Sequence, residues 1–237
     1  MERKNYVLVH GAYHGAWCWK DVASGLTALG HKVATPTWTG LGERSHLLRF
    51  GPTLETFIDD VAQVIHFEDL RDVILVGHSF AGSVVSAIAD RMPERLRHLV
   101  YLDALVLRSG ESSASRSPER IAAYRALALA SDDPLGIPPA DPVHFGITDP
   151  RQVAWVKPRL TPHPLQTYYD KLNLQHPLGN GLPVTYIACS KPYFASTALS
   201  REIAQAMPDW AYLSIPTGHD AMVLMPGELT EMLAALG

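Results

Sequence analysis

The stretch DVILVGHSFAGSVV, residues 72–85, decides the fold. Four consecutive apolar residues, Val73 to Val76, run up to Gly77, and an uninterrupted apolar run of this length reads as a strand buried on both faces. Ser79 follows, and a helix rich in small residues is expected at once, over Phe80–Met92, until Pro93 stops it. A strand, a sharp turn with serine at its apex and a helix together make the setting of an exposed nucleophile. The turn strains the backbone at Ser79 and lifts its hydroxyl above the sheet edge. Gly77 and Ala81 must be small because strand and helix backbones nearly touch there. The common pattern has glycine where this chain has Ala81, with Gly82 next. A bare G-x-S-x-A is a weak signal, and the competing reading is an ordinary N-capping serine; the flanking strand and helix favour the nucleophile.

Outward from this segment the rhythm repeats. Strands are expected at Tyr6–His10, Lys32–Thr35, Val73–Gly77, Leu99–Asp103, Val184–Cys189 and Ala211–Ile215. Between them, Leu54, Phe57, Val61, Val64 and Ile65 recur at helical spacing, as do Leu229, Met232, Leu233 and Leu236 near the end. Alternating strands and helices predict an α/β domain with a mostly parallel six-stranded sheet flanked by helices. One region breaks the pattern. From Ala104 to Leu182, about 80 residues separate two strands that a simple crossover would join in far fewer. It holds most of the prolines, a polar patch from Ser109 to Ser117, and a helical stretch at Pro118–Ala130. Phe145, Trp155, Tyr168 and Tyr169 rule out a mere linker. The expected organisation is a core of residues 1–103 and 183–237 carrying a partly helical cap, 104–182. Both ends of that cap are expected at the carboxyl edge of the sheet.

A serine nucleophile needs a base. Of 11 histidines, His219 stands out because it follows the last strand and precedes the final helix. That puts it at the carboxyl edge of the sheet with Ser79, where open α/β sheets build their sites. The base needs an orienting acid. The loop after Cys189 contains no Asp or Glu, whereas Asp103 ends the strand next to that of the nucleophile. Asp72 lies at the wrong edge. Asp220 adjoins His219, and sequence neighbours seldom bond each other's ring nitrogen. Asp103 is therefore the expected acid; the open alternative has it capping a turn while a water or Ser190 orients His219.

The run VHGAYHGAWCW, residues 9–19, reads as a strand end, a glycine-containing loop and a helix. Such a loop can aim a backbone N–H at a developing oxyanion together with the residue after the nucleophile, here Ala12 and Phe80. His10 and His14 make a poor metal frame, since no carboxylate joins them; hydrogen bonds that stiffen the loop are the better reading. TGLGERS, residues 39–45, lacks the third glycine of a dinucleotide fingerprint. Neither a metal nor a cofactor is expected.

Composition narrows the partners. Apolar residues make up 47% and charged residues 19%, which excludes a disordered chain. With 20 basic against 24 acidic residues, net −4, neither nucleic acid nor an anionic membrane is an expected partner. The two cysteines, Cys18 and Cys189, make no disulfide framework and suit a reducing compartment. No run approaches the roughly 18 apolar residues of a membrane span. A cytoplasmic protein, monomeric or homodimeric, with a small-molecule substrate is expected.

Taken together, these residues resemble the α/β-hydrolase superfamily over nearly the whole chain. HGAYHGAWCW, residues 10–19, is similar to the branch with plant methylesterases and hydroxynitrile lyases. TPTWTGLGER (35–44) and TGHDAM (217–222) look more like small bacterial esterases, including those acting on carbendazim. The resemblance implies a cofactor-free Ser–Asp–His hydrolase, carried onto Ser79, Asp103 and His219. Hydroxynitrile lyases of the branch have Thr at the position of Gly11 and Lys at that of Asp220, so cyanohydrin chemistry is not expected. The expected function is hydrolysis of a small aromatic or apolar carboxylic or carbamate ester, with Tyr13 and Trp155 on the pocket wall. A lyase or cyclase on the same scaffold, or a ligand sensor, is the alternative.

Overall fold

The computed structural model describes residues 3–236. From the amino end come β1 (Asn5–Val9), β2 (Lys32–Ala34), β3 (Val73–His78) and β4 (Leu96–Leu102). Segment 104–182 contributes the two-residue strands β5 (Gly136–Ile137) and β6 (His163–Pro164), paired only with each other. β7 (Val184–Cys189) and β8 (Trp210–Ile215) complete a six-stranded sheet in the order β2-β1-β3-β4-β7-β8. Every neighbouring pair in it is parallel. β4 starts at Leu96, three residues earlier than its apolar run suggests, because Leu96 and His98 pair with Val73 and Ile74 across an irregularity in the register at Arg97.

The helices are α1 (Lys20–Ala28), α2 (Leu54–Phe67), α3 (Ala81–Arg91), α4 (Ser113–Arg116), α5 (Pro118–Leu129), α6 (Pro150–Val156), α7 (Ala198–Ala206), α8 (Ala221–Leu224) and α9 (Pro226–Ala234). Their starts follow local chemistry. Thr53 accepts from the Thr56 N–H ahead of α2, Asp149 does so for α6, and Pro118, Pro150 and Pro226 open their helices, where a missing N–H costs nothing. Successive strand residues point to opposite faces. Tyr6, Leu8, Val76, Val100 and Ile187 pack one buried layer with Val22, Leu26 and Leu229 of α1 and α9. Val7, Val9, Leu75, Leu99 and Tyr101 pack the other with Phe57, Val61, Val84 and Ile88 of α2 and α3.

Segment 104–182 departs from expectation at one end. It leaves the sheet at the carboxyl edge, after β4, but Val184 pairs with Leu99, so it re-enters at the amino edge. Parallel strands require this, since each must begin where its neighbour begins. The return limb, residues 172–182, is fastened near the carboxyl end of α3. The Asp90 carboxylate accepts the N–H groups of Gln175 (3.0 Å) and His176 (2.8 Å), and Asn180 Nδ2 donates to Ala89 O (3.1 Å).

Candidate active site

β3 ends at His78, and Ser79 adopts φ +56°, a left-handed conformation that costs a non-glycine residue on the order of 1–3 kcal/mol. The surroundings hold it there. Ser79 N–H donates to Leu102 O (3.2 Å), and Ser79 O accepts from Gly82 N–H (3.2 Å) and Leu105 N–H (2.8 Å). The chain leaving β4 thus lies directly on the start of α3. A Cβ on Gly82 would overlap the Leu105 carbonyl, which is why the small-residue pattern here includes Gly82.

His219 sits in the loop after β8, with Nε2 2.8 Å from Ser79 Oγ. Its Nδ1–H donates to Asp103 Oδ2 at 2.7 Å. Asp103 is fully buried, one residue past β4, at φ +43°. Its other oxygen accepts from Arg201 Nε (3.0 Å), Arg201 Nη2 (2.6 Å) and Thr197 Oγ1 (3.2 Å). Burial alone pushes the Asp103 carboxyl up; His219 and Arg201 outweigh it and hold it below the usual carboxylate range. The Phe194 ring stacks on the imidazole, centroids 3.8 Å apart. Sequence reasoning missed Thr197, Phe194 and Arg201. The one available hint was an arginine placed among Leu199, Ile203 and Ala204 in a helix with a buried side, and Arg201 is only 6% exposed.

Asp220 does not reach the His219 ring nitrogens. Its Oδ2 lies 3.0 Å from His14 Nε2, and His14 Nδ1–H donates to Ala12 O at 2.7 Å. Both His14 nitrogens face acceptors, an arrangement that favours the protonated ring. Burial disfavours that charge, but the Asp220 carboxylate outweighs it and raises the His14 pKa. His78 is different: burial and the charge of His219 push its pKa down to about 3, leaving a neutral ring whose Nε2–H donates to His219 O at 2.9 Å. Among the described residues, His78, His219 and Asp220 form the one group with ligand atoms close enough for a metal ion; His219 already uses both nitrogens on Asp103 and Ser79.

Ala12 and Phe80 both line the cavity beside Ser79. Neither backbone N–H has an acceptor among the described residues. The loop before Ala12 is stiff. His10 Nδ1–H donates to Gly11 O (2.8 Å) and His10 Nε2 accepts from Trp38 N–H (3.2 Å). A Cβ at Gly11 would lie 2.8 Å from Ser79 Cβ and 2.9 Å from His78 Nδ1, so the position has no room for a side chain.

The cavity measures about 310 Å³. Tyr13, Phe80, Phe145 and Tyr168 line it, together with Tyr124 and Ile137 from segment 104–182. Trp155, expected on this wall, does not line it. The seven-residue α6 turns that ring away, edge-on to Trp17 at 5.3 Å and under the Arg159 guanidinium at 4.8 Å. Only Val156 of that helix is fully buried, and the half-buried Trp155 packs against the core at a place other than the cavity lining.

A family model described as the alpha/beta hydrolase family matches residues 6–232. The chain is 41% identical to a carbendazim hydrolyzing esterase of Nocardioides sp. (strain SG-4G), over 98% of this chain and 99% of that protein. It is 32% identical to methylesterase 1 of Arabidopsis thaliana over 44% of this chain and 40% of that protein. An extracellular alpha/beta-hydrolase from a Paenibacillus species superposes with a TM-score of 0.86, at 24% identity, over 99% of both chains. The chain belongs to the alpha/beta hydrolase family and is one of its esterases.

Proposed function

We propose that this protein hydrolyses small apolar or aromatic carboxylic or carbamate esters through an acyl-enzyme on Ser79. The observation that carries the reading is the unbroken chain Ser79 Oγ–His219 Nε2–His219 Nδ1–Asp103 Oδ2, with links of 2.8 and 2.7 Å, opening into a mostly apolar cavity. The likeness to a carbendazim hydrolyzing esterase along the full chain supports a carbamate or carboxylic ester as substrate.

The chemistry follows from the geometry. Ser79 Oγ bonds to the ester carbon while its proton passes to His219 Nε2. The imidazolium so formed is stabilised by Asp103, which keeps its negative charge because Arg201 and Thr197 occupy its other oxygen. The carbonyl oxygen, now an anion, is received by the Ala12 and Phe80 N–H groups; one such donor contributes about 2.7–4 kcal/mol in the transition state. Collapse of this intermediate expels the alcohol, which takes the proton from His219. A water then gives its proton to His219, attacks the acyl carbon, and releases the acid from Ser79 as the proton returns to Oγ. Residues 104–182 act as a cap that excludes bulk water from this exchange. Gly11, which has no room for a side chain, keeps the face of Ser79 free of any second hydroxyl.

A fluorophosphonate and 4-nitrophenyl acetate test the reading. The wild type is expected to hydrolyse the ester and to carry the phosphonate on Ser79 by peptide mass spectrometry. Ser79→Ala is expected to lose both while melting within a few degrees of the wild type. Turnover above a tenth of wild type in that variant, or label on another residue, overturns it.

A further inference from the structure

The cavity wall is apolar except at one corner. Arg120 and Tyr124, one turn apart on α5, face it together with Tyr13 and Tyr168. The Tyr124 and Tyr168 rings meet edge to face, centroids 5.6 Å apart, beside Arg120 and Tyr13 on the same wall. Arg120 is half-buried, and its Nε is fully buried with no hydrogen-bond partner among the described residues. No carboxylate among the described residues pairs with it, and no Asp or Glu lines the cavity.

Arg120, Leu105 and Ser196 also border a neighbouring cavity of about 150 Å³. The second arginine there, Arg116, is neutralised by Glu111 at 2.6 Å, so Arg120 is the one uncompensated cation lining the two spaces. A guanidinium that lines an apolar cavity with no carboxylate beside it suits a planar anion, which its donor fork can meet through parallel hydrogen bonds. A half-buried cation without a counter-charge is costly, and a carboxylate in the cavity supplies that charge.

We infer that this esterase selects substrates bearing a carboxylate remote from the scissile bond, and that Arg120 is the residue that recognises it. The inference rests on the proposed esterase chemistry at Ser79. The carboxylate enters on either the acyl or the alcohol portion, and each arrangement keeps the ester carbonyl at Ser79.

Two matched pairs separate these arrangements. 4-Nitrophenyl hydrogen glutarate against 4-nitrophenyl pentanoate places the charge on the acyl side. 4-Acetoxybenzoate against 4-acetoxybenzamide places it on the alcohol side. The readout is the ratio of kcat/KM within each pair, which cancels damage common to both members. The wild type is expected to favour the carboxylate by about tenfold or more in one pair, mainly through KM. Arg120→Met is expected to bring that ratio to one or below, and Arg120→Lys to an intermediate value, since an ammonium keeps the charge but not the fork. Ratios of one or less in both wild-type pairs, or a preference that survives Arg120→Met, overturn the inference; in the second case Arg120 only covers apolar surface with its stem.

Absence of hydrolysis of all four esters would count against the Ser79 chemistry instead, and binding decides the matter separately. Calorimetry with 4-phenylbutanoate in a Ser79→Ala background is expected to show about tenfold weaker affinity once Arg120→Met is added. Equal affinities overturn the carboxylate site whatever the esterase result.

Discussion

Asp103 stays ionised although fully buried because both of its oxygens accept hydrogen bonds. His219 takes one oxygen, and Arg201 with Thr197 takes the other. Its role is to fix which imidazole nitrogen carries the proton, and an amide in its place favours the wrong tautomer. Asp103→Asn is therefore expected to lower kcat by up to about 10⁴-fold with KM little changed, measured on 4-nitrophenyl acetate. Asp220→Asn in parallel is expected to cost far less, because Asp220 faces His14 and not the nitrogens of His219. A larger loss in the Asp220 variant would reverse the two assignments. Gly11 gives a second expectation at this scale. Gly11→Thr brings a Cβ within 2.8 Å of Ser79 Cβ, so it is expected to lower kcat at least tenfold and to depress Tm by several degrees.

The His14–Asp220 pair ties the loop after β1, which carries Ala12, to the loop after β8, which carries His219. Its two members titrate in opposite senses. His14 has a raised folded pKa, so its contribution is whole below its unfolded value of about 6.5 and fades as pH rises through the folded one. Asp220 has a lowered folded pKa, so its contribution is whole above its unfolded value of about 3.9 and fades on acidification. Thermal melts between pH 6 and 9 are expected to show Tm falling with pH in the wild type and a flatter profile in Asp220→Asn; equal slopes would mean that His14 is neutral throughout. Elements of this kind mark the limit of what was legible in the sequence. The strand spans, the serine turn and the residues standing at the carboxyl ends of β3, β4 and β8 could be read because each depends on its own neighbours along the chain. Arg201, Thr197, Phe194 and the return limb could not. Their positions depend on how α7 settles on β4 and on which edge a parallel strand must start from. Trp155 was misplaced for a related reason: α6, at seven residues, is too short for apolar spacing to declare a face.

At the scale of the whole molecule, the proposed chemistry and part of the cavity wall come from different parts of the chain. Ser79, Asp103 and His219 follow β3, β4 and β8, while Ile137, Tyr124 and Tyr168 of segment 104–182 line the cavity together with Tyr13 and Phe80. Ile137→Trp is expected to lower kcat/KM for 4-nitrophenyl octanoate at least tenfold relative to the acetate, with phosphonate labelling of Ser79 retained. Trp155→Ala is expected to leave the rank order of the two esters unchanged, since its ring lies outside the cavity; a changed order would put it back on the wall. The fastening of the return limb to Asp90 also bears on how this scaffold can be rebuilt. Because Gln175, His176 and Asn180 are bonded to Ala89 and Asp90 at the far end of α3, this limb belongs with the frame and not with the roof. A laboratory exchange of roofs between relatives should therefore cut after Asp103 and again before Leu172, leaving the Asp90 clasp untouched. A cut at Pro183 would replace Gln175, His176 and Asn180 with a relative's residues and put the clasp itself at risk.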